Sequence, residues 1–124
     1  MGMEVLFKKY GKKYKKNEVI CSEKDTDKVM YIIFEGTALV YKNVRRPKRE
    51  KKVLAQLKSG DFFGEMSLLE GMHGFATVAA LTDIKVLVIN MQVLEKVVES
   101  TPDFGIMMMA KLAKRLRKTS AFKR

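Results

Sequence analysis

The chain has one cysteine, Cys21, and one histidine, His73, among its 124 residues. That scarcity excludes an intrachain disulfide, a Cys/His zinc site, and any Ser/His or Cys/His catalytic pair that does without His73. Long apolar runs are also missing. The start, Met1 to Lys16, has no apolar core of the signal-peptide kind, and no run approaches the roughly 18 residues that a membrane helix needs. The expectation is a cytoplasmic protein with no membrane span and no metal. What the chain does have is 47% hydrophobic and 31% charged residues, the balance of an ordinary globular domain. At this length, folding buries about two thirds of the surface of the unfolded chain, enough for one domain without covalent staples.

Acids are few relative to bases. Lys and Arg number 25 against 14 Asp and Glu, for a formal charge of +11. Twenty of those bases fall in three short stretches, Lys8–Lys16, Lys42–Lys52 and Lys111–Arg124. Between Ser59 and Thr101 the balance reverses, with the bases Lys85 and Lys96 facing six acids. A pocket built from that segment starts out poor in positive charge. The basic stretches read as solvated surface, with nucleic-acid binding as a further reading. Aromatic residues among them are sparse, Tyr10, Tyr14 and Phe122, which argues against a stacking platform for single strands.

Strand-like segments fill the first two thirds. Val29–Phe34 is β-branched and aromatic, Glu35-Gly36-Thr37 supplies a turn, and Ala38–Lys42 returns, together the signature of a hairpin. The run from Arg45 to Lys52 reads as a loop, because Pro47 cannot join a central ladder and like charges repel. Val53–Leu57 is another strand, and Ser59-Gly60-Asp61 breaks it. Phe62 to Gly71 reads as a bend, one helical turn and a glycine stop. Ala76–Leu81 and Ile84–Ile89 are two more strands joined across Thr82-Asp83. Strands at this spacing argue for a barrel or sandwich.

The last third is helical. Asn90 caps a helix over Met91–Glu99, and Thr101 with Pro102 and Asp103 opens a second one. The apolar face of the second helix is expected at Met109, Leu112 and Leu116, a spacing suited to a helix seam. The run Met107-Met108-Met109 reads as core filler.

One stretch carries site chemistry, Gly60–Leu69. Gly64 permits close backbone approach, and the turn after it offers the N–H groups of Met66, Ser67 and Leu68 to an anion. Glu65 at its mouth is placed to accept hydrogen bonds from a pair of sugar hydroxyls. On spacing alone, a plain capped turn with a surface Glu remains the alternative.

The order Asn17-Glu18-Val19-Ile20, Asp27–Gly36, Gly60–Leu69 and Ala76–Ala80 resembles the cyclic nucleotide-binding domain family. The resemblance runs from about Phe7 to Lys118. It implies a mainly β fold with C-terminal helices, an eight-stranded antiparallel β-roll of jelly-roll-like, double-stranded β-helix type. It also implies a phosphate-binding cassette over Gly64–Thr77. Glu65 then takes the ribose 2′-hydroxyl and the backbone N–H groups of Met66 and Ser67 take the cyclic phosphate, while Phe63, Ala76 and Thr77 line the wall.

The family's Pro-Arg-small residue pattern falls on His73, Gly74 and Phe75, so the arginine is absent and a phenyl ring replaces a small side chain. A charge-assisted hydrogen bond contributes about 1.5–3 kcal/mol net, so its loss weakens binding by roughly one to two decades. Family glycines are also replaced by Asn17, which tolerates a left-handed backbone, and by Lys24, which tolerates it less readily.

The expected organisation is a single domain, with the β-roll over about 7–90, C-terminal helices over 91–118, a basic tail over 119–124 and no DNA-binding domain. The chain is also readable as a fragment of a longer regulator. The expected function is a non-enzymatic, ligand-sensing regulatory module with no certain cofactor. It binds cyclic AMP or cyclic GMP weakly, or a related small anion, and signals through its C-terminal helix to a second copy in a homodimer or to a partner protein. The alternative is a ligand-free β-roll that dimerises or docks.

Overall fold

The computed structural model describes residues 3–25, 27–45, 47–70 and 76–123. The chain divides into two compact units, residues 2–91 and residues 92–124.

The first unit opens with helix α1 (Met3–Tyr10), followed by strands β1 (Gly11–Tyr14), β2 (Val19–Cys21), β3 (Met30–Glu35), β4 (Ala38–Val44), β5 (Glu50–Leu57) and β6 (Phe62–Phe63). Helix α2 (Glu65–Glu70), β7 (Thr77–Ala80) and β8 (Ile84–Ile89) complete it. Two four-stranded antiparallel sheets result, in the orders β1-β8-β3-β6 and β2-β7-β4-β5. The pairs β1–β8, β2–β7, β3–β6 and β4–β5 are nested one inside the next. This is a long antiparallel ribbon rolled on itself, the jelly-roll topology that the resemblance implies.

The hairpin expected between Val29–Phe34 and Ala38–Lys42 is not formed. β3 and β4 lie in different sheets, as do β7 and β8, so both junctions are corners. The two corners are tied to each other. The Leu81 N–H donates to the Thr37 carbonyl at 3.0 Å, and the Thr37 N–H donates to Thr82 Oγ1 at 3.1 Å. Gly36 (φ +98°) passes so close that a Cβ there would stand 2.5 Å from the Asp83 carbonyl oxygen. A turn signal fixes a reversal of the chain but not which sheet receives the returning strand, and here the contact with the second corner decides it.

The run 45–52 is also shorter as a loop than expected, because Glu50, Lys51 and Lys52 pair with Val44, Asn43 and Lys42. Pro47 stays outside the ladder, consistent with its missing donor. Asn17 is the one non-glycine residue with positive φ (+76°) among the described residues. It sits in a turn where the Glu18 N–H donates to the Lys15 carbonyl. Lys24 therefore needs no left-handed backbone. Helix α1, which strand-like reading of the N-terminus missed, packs against β8, with Leu6 buried and Phe7 stacked on Phe34 at 5.2 Å.

Inside the roll, Ile20, Tyr31, Ile33, Phe63, Val78 and Val86 belong to one buried cluster. β3 is buried on both faces from Met30 to Ile33, and so reads as a continuous apolar run rather than an alternating one.

The second unit holds most of helix α3 (Met91–Ser100) and all of helix α4 (Pro102–Lys123). The Thr101 N–H donates to the Val97 carbonyl at 2.8 Å, and the Phe104 N–H donates to the Thr101 carbonyl at 3.0 Å, which closes one helix and starts the next. Helix α4 continues through 119–123, where a basic tail was expected.

Its buried face is also rotated from the expected seam. Met108 is buried and Leu112 half-buried, while Met109 is 64% exposed. Gly105 sets this register, because a Cβ there would lie 3.2 Å from Val98 Cγ1, and Met108 stands one turn further along the same face. The Leu116 side chain lies outside the described residues. No helix among the described residues is long and apolar enough to cross a membrane.

Candidate ligand-binding site

The candidate site is built where β6 hands over to α2. Phe62 and Phe63 are both buried. Phe63 pairs with Tyr31 across the ladder, and their rings stack at 5.0 Å and 17°. The chain then turns through Gly64 at φ +83°, where a Cβ would meet the Val29 carbonyl oxygen at 3.2 Å and Met30 Cα at 3.4 Å. Both the sign of φ and the closeness of β3 favour glycine there.

Helix α2 begins at Glu65, which is half-buried at the mouth of the turn. The Leu68 N–H donates to the Gly64 carbonyl at 3.2 Å and forms the first helical bond. It is therefore consumed by the helix, which corrects the expectation that it faces an anion. Met66 and Ser67 remain as first-turn residues whose N–H groups have no acceptor within the helix. The Ser67 hydroxyl donates to the Asp27 carbonyl and ties α2 to the segment that enters β3. Buried Leu68 anchors the opposite side of the same turn, while Met66 faces outward.

From the second sheet, Thr77 is buried on β7 opposite Tyr41, and Ala76 is half-buried just before it. Val78 shares the interior cluster with Phe63, so the segments that flank the cassette converge on one core although they belong to different sheets. His73, Gly74 and Phe75, on which the family's Pro-Arg-small pattern falls, lie outside the described residues.

The interior beside this turn disfavours charge. Burial pushes the Cys21 thiol up to about 12, with Asp25 adding to the rise and a backbone hydrogen bond involving Val78 opposing it. The Tyr31 hydroxyl is likewise held above its ordinary range, by burial first and then by Cys21, Tyr14, Asp25 and Asp27. Both groups are neutral at pH 7 and line a poorly solvated wall. Lys85, one of the few bases in the chain's acidic middle, is engaged elsewhere. Its ammonium lies 3.1 Å from the Glu35 carboxylate and 5.8 Å from the Phe7 ring centroid.

Sequence reasoning singled out Phe63, Gly64, Glu65, Met66 and Ser67, and the structure brings these together at one junction. It missed Tyr31, which covers Phe63, although its place in an apolar strand next to other buried residues was a usable signal. It also missed Asp27, whose contribution is a backbone carbonyl and therefore leaves no trace in residue type.

Among known proteins, the cyclic nucleotide-binding domain model matches residues 11–101. The cAMP-activated global transcriptional regulator CRP of Escherichia coli O6:H1 is 28% identical over 109 residues, covering 87% of this chain and 51% of that protein. The chain thus spans about half the length of the curated relatives of this kind that it matches. The crystal structure of the Thermus thermophilus catabolite activator protein superposes with a TM-score of 0.77 at 22% identity, over 96% of this chain and 55% of that one, and shows the shared fold. The cAMP-bound form of the EAL enzyme Bd1971 is 34% identical with a TM-score of 0.63, covering 90% of this chain and 29% of that one. The match over most of the chain, on a nested eight-stranded roll with a Gly-Glu turn between β6 and α2, establishes that the chain belongs to the cyclic nucleotide-binding domain family.

Proposed function

We propose that this chain is a non-enzymatic, ligand-sensing regulatory module of the cytoplasm that binds a cyclic nucleotide weakly, or a related small anion. The observation that carries the reading is the Gly64-Glu65 turn, held against β3 within the segment that matches the family. Relatives described as cAMP-activated or cAMP-bound support the ligand class.

Glu65 receives the sugar hydroxyls, and the first-turn N–H groups of Met66 and Ser67 receive the phosphate. Phe63, Ala76 and Thr77 form the wall, while the sequence has glycine at 74 and phenylalanine at 75 where the family pattern has arginine and a small residue, so the pattern's permanent cation is missing. The roll over 7–90 is the sensing part, and occupancy shifts the population of states of the helices from 91 onward.

Isothermal calorimetry with cyclic AMP and cyclic GMP tests this. Binding is expected one to two decades weaker than in a cassette that keeps its arginine, with Glu65→Ala abolishing it. The double variant Gly74→Arg/Phe75→Ala is expected to recover roughly ten- to hundredfold. Nanomolar affinity of the unaltered chain would refute the account of the missing arginine, and silence at about 1 mM ligand would refute ligand binding itself.

One observation favours a second reading, a ligand-independent dimer. Ile106 and Met109 lie three residues apart on α4 and are 62% and 64% exposed, the spacing of a helix seam. Sedimentation without nucleotide checks it: a dimer that Met109→Glu dissociates supports the reading, and a monomer at high concentration sinks it.

A further inference from the structure

The far half of the β4–β5 hairpin has no part in the nucleotide reading. β5 is the edge of its sheet and pairs, among the described strands, with β4 alone. Residues 50–56 are exposed on both faces of the strand. Past the irregularity at Val40/Tyr41 the ladder runs Tyr41↔Val53, Lys42↔Lys52, Asn43↔Lys51 and Val44↔Glu50. Two lysines thus stand directly opposite each other, an arrangement that repels. The Lys51 ammonium is held 4.7 Å over the Tyr41 ring. At the tip, an open depression of about 390 Å³ is lined by Asn43, Val44, Arg45, Arg49, Glu50 and Lys51.

Charge and apolar surface meet on this one strand. From Lys42 to Lys58 the sequence holds a single acid, Glu50. Lysines are a common guard against pairing at a sheet edge, but a surface that needed only solubility would mix both signs. Beside the cations, Val53 is 57% and Leu54 41% exposed. A phosphate backbone satisfies the cations and gains nothing from these aliphatic groups. A peptide that carries carboxylates and aliphatic side chains uses both, with Arg–carboxylate pairing able to be bidentate.

We propose that the hairpin from Tyr41 to Leu54 docks an extended acidic segment of a partner protein. Its carboxylates meet Arg45, Arg49, Lys51 and Lys52, and its aliphatic side chains cover Val53 and Leu54. The surface is solvated, so the contact is salt-sensitive and of moderate affinity.

Fluorescence anisotropy on the full chain at about 150 mM salt tests this with two probes. One is a labelled peptide of roughly ten residues built from glutamate with two leucines, and the other is a labelled random DNA duplex of about 20 base pairs. The peptide is expected to bind, and Arg49→Glu/Lys51→Glu/Lys52→Glu to weaken it at least about tenfold. Val53→Ser/Leu54→Ser is expected to weaken the peptide by roughly fivefold while leaving the duplex unchanged. Lys12→Glu/Lys13→Glu, on the other basic edge strand, is expected to leave the peptide unchanged. Melting curves verify folding, and the milder Arg45→Ala/Arg49→Ala pair replaces the triple variant if that one unfolds. Three results overturn the proposal: no peptide binding, an equal loss from the Lys12/Lys13 control, or tighter duplex binding through the same hairpin, which would assign the surface to nucleic acid.

Discussion

Alanine placed in turn at Gly60, Gly64 and Gly36 separates two costs that usually arrive together. All three glycines have φ between +83° and +98°, beyond the left-handed well near +57°, so each alanine costs about 1–2 kcal/mol in backbone energy. Each also gains about 0.4–1 kcal/mol by restricting the unfolded chain, a gain common to the three that drops out of the ranking. What differs is space. A Cβ at Gly60 meets nothing within 4 Å, so only the backbone cost applies. At Gly64 it meets the Val29 carbonyl oxygen at 3.2 Å and Met30 Cα at 3.4 Å, both backbone atoms, and overpacking of this kind adds about 1–3 kcal/mol. At Gly36 the Asp83 carbonyl oxygen stands at 2.5 Å, so the two corners must part and the variant is expected to be the least stable. Urea unfolding at constant m-value reads the order as Gly60→Ala mildest, Gly64→Ala next and Gly36→Ala worst. For a chain of this size each kcal/mol lowers the melting temperature by about 3–5 °C. A Gly64→Ala variant no less stable than Gly60→Ala, or a neutral Gly36→Ala, would refute the reasoning.

The remaining predictions concern the wall of the site. Cys21 keeps its proton up to about 12 in the folded chain against an ordinary value of 9.0. The folded state therefore binds more protons between those values. Its contribution to stability is complete below pH 9 and falls above it by up to about 1.4 kcal/mol per pH unit, an increment that Cys21→Ala should remove from urea titrations. At pH 8 the folded thiolate fraction is roughly a thousandfold below that of a free thiol, and its higher nucleophilicity recovers only about 20-fold. Maleimide labelling of the native chain is thus expected to be tens of times slower than labelling of the denatured chain, and equal rates would contradict the burial. Phe63→Ala, which removes the ring stacked on Tyr31, is expected to cost about 3–5 kcal/mol by denaturant unfolding. A loss below about 1 kcal/mol would mean that the ring does not pack as described.

Segments were more legible in the sequence than their partners. The runs at Met30–Glu35 and Ile84–Ile89 announce strands because both are dense in β-branched, aromatic and other large apolar residues and largely buried, with Lys85 the one charged residue inside either run and Glu35 at an end. That β3 lies beside β8 rather than β4 depends on contacts between Thr37 and Thr82, 45 residues apart, which no local pattern encodes. The charged start of β5 was hidden because Lys51 and Lys52 sit on an exposed edge, where periodicity carries no signal of burial. At the site, Gly64 and Glu65 were readable since their roles depend on residue type. The loss of the Leu68 donor was not, because it follows from where α2 begins. On α4, the choice of Met108 over Met109 follows from the close approach at Gly105, a tertiary contact.

The nested ribbon has a consequence for how the chain is held together. In both sheets, β1-β8-β3-β6 and β2-β7-β4-β5, every hydrogen-bonded neighbour of a strand from the N-terminal four comes from the C-terminal four. Neither set contains a ladder of its own, so the roll is an interweaving of two halves joined at the tip of β4–β5. A protease nick at that tip would leave two fragments that have no sheet of their own when apart and are complementary when mixed, and whatever grips the tip holds both threads at the point where they cross over.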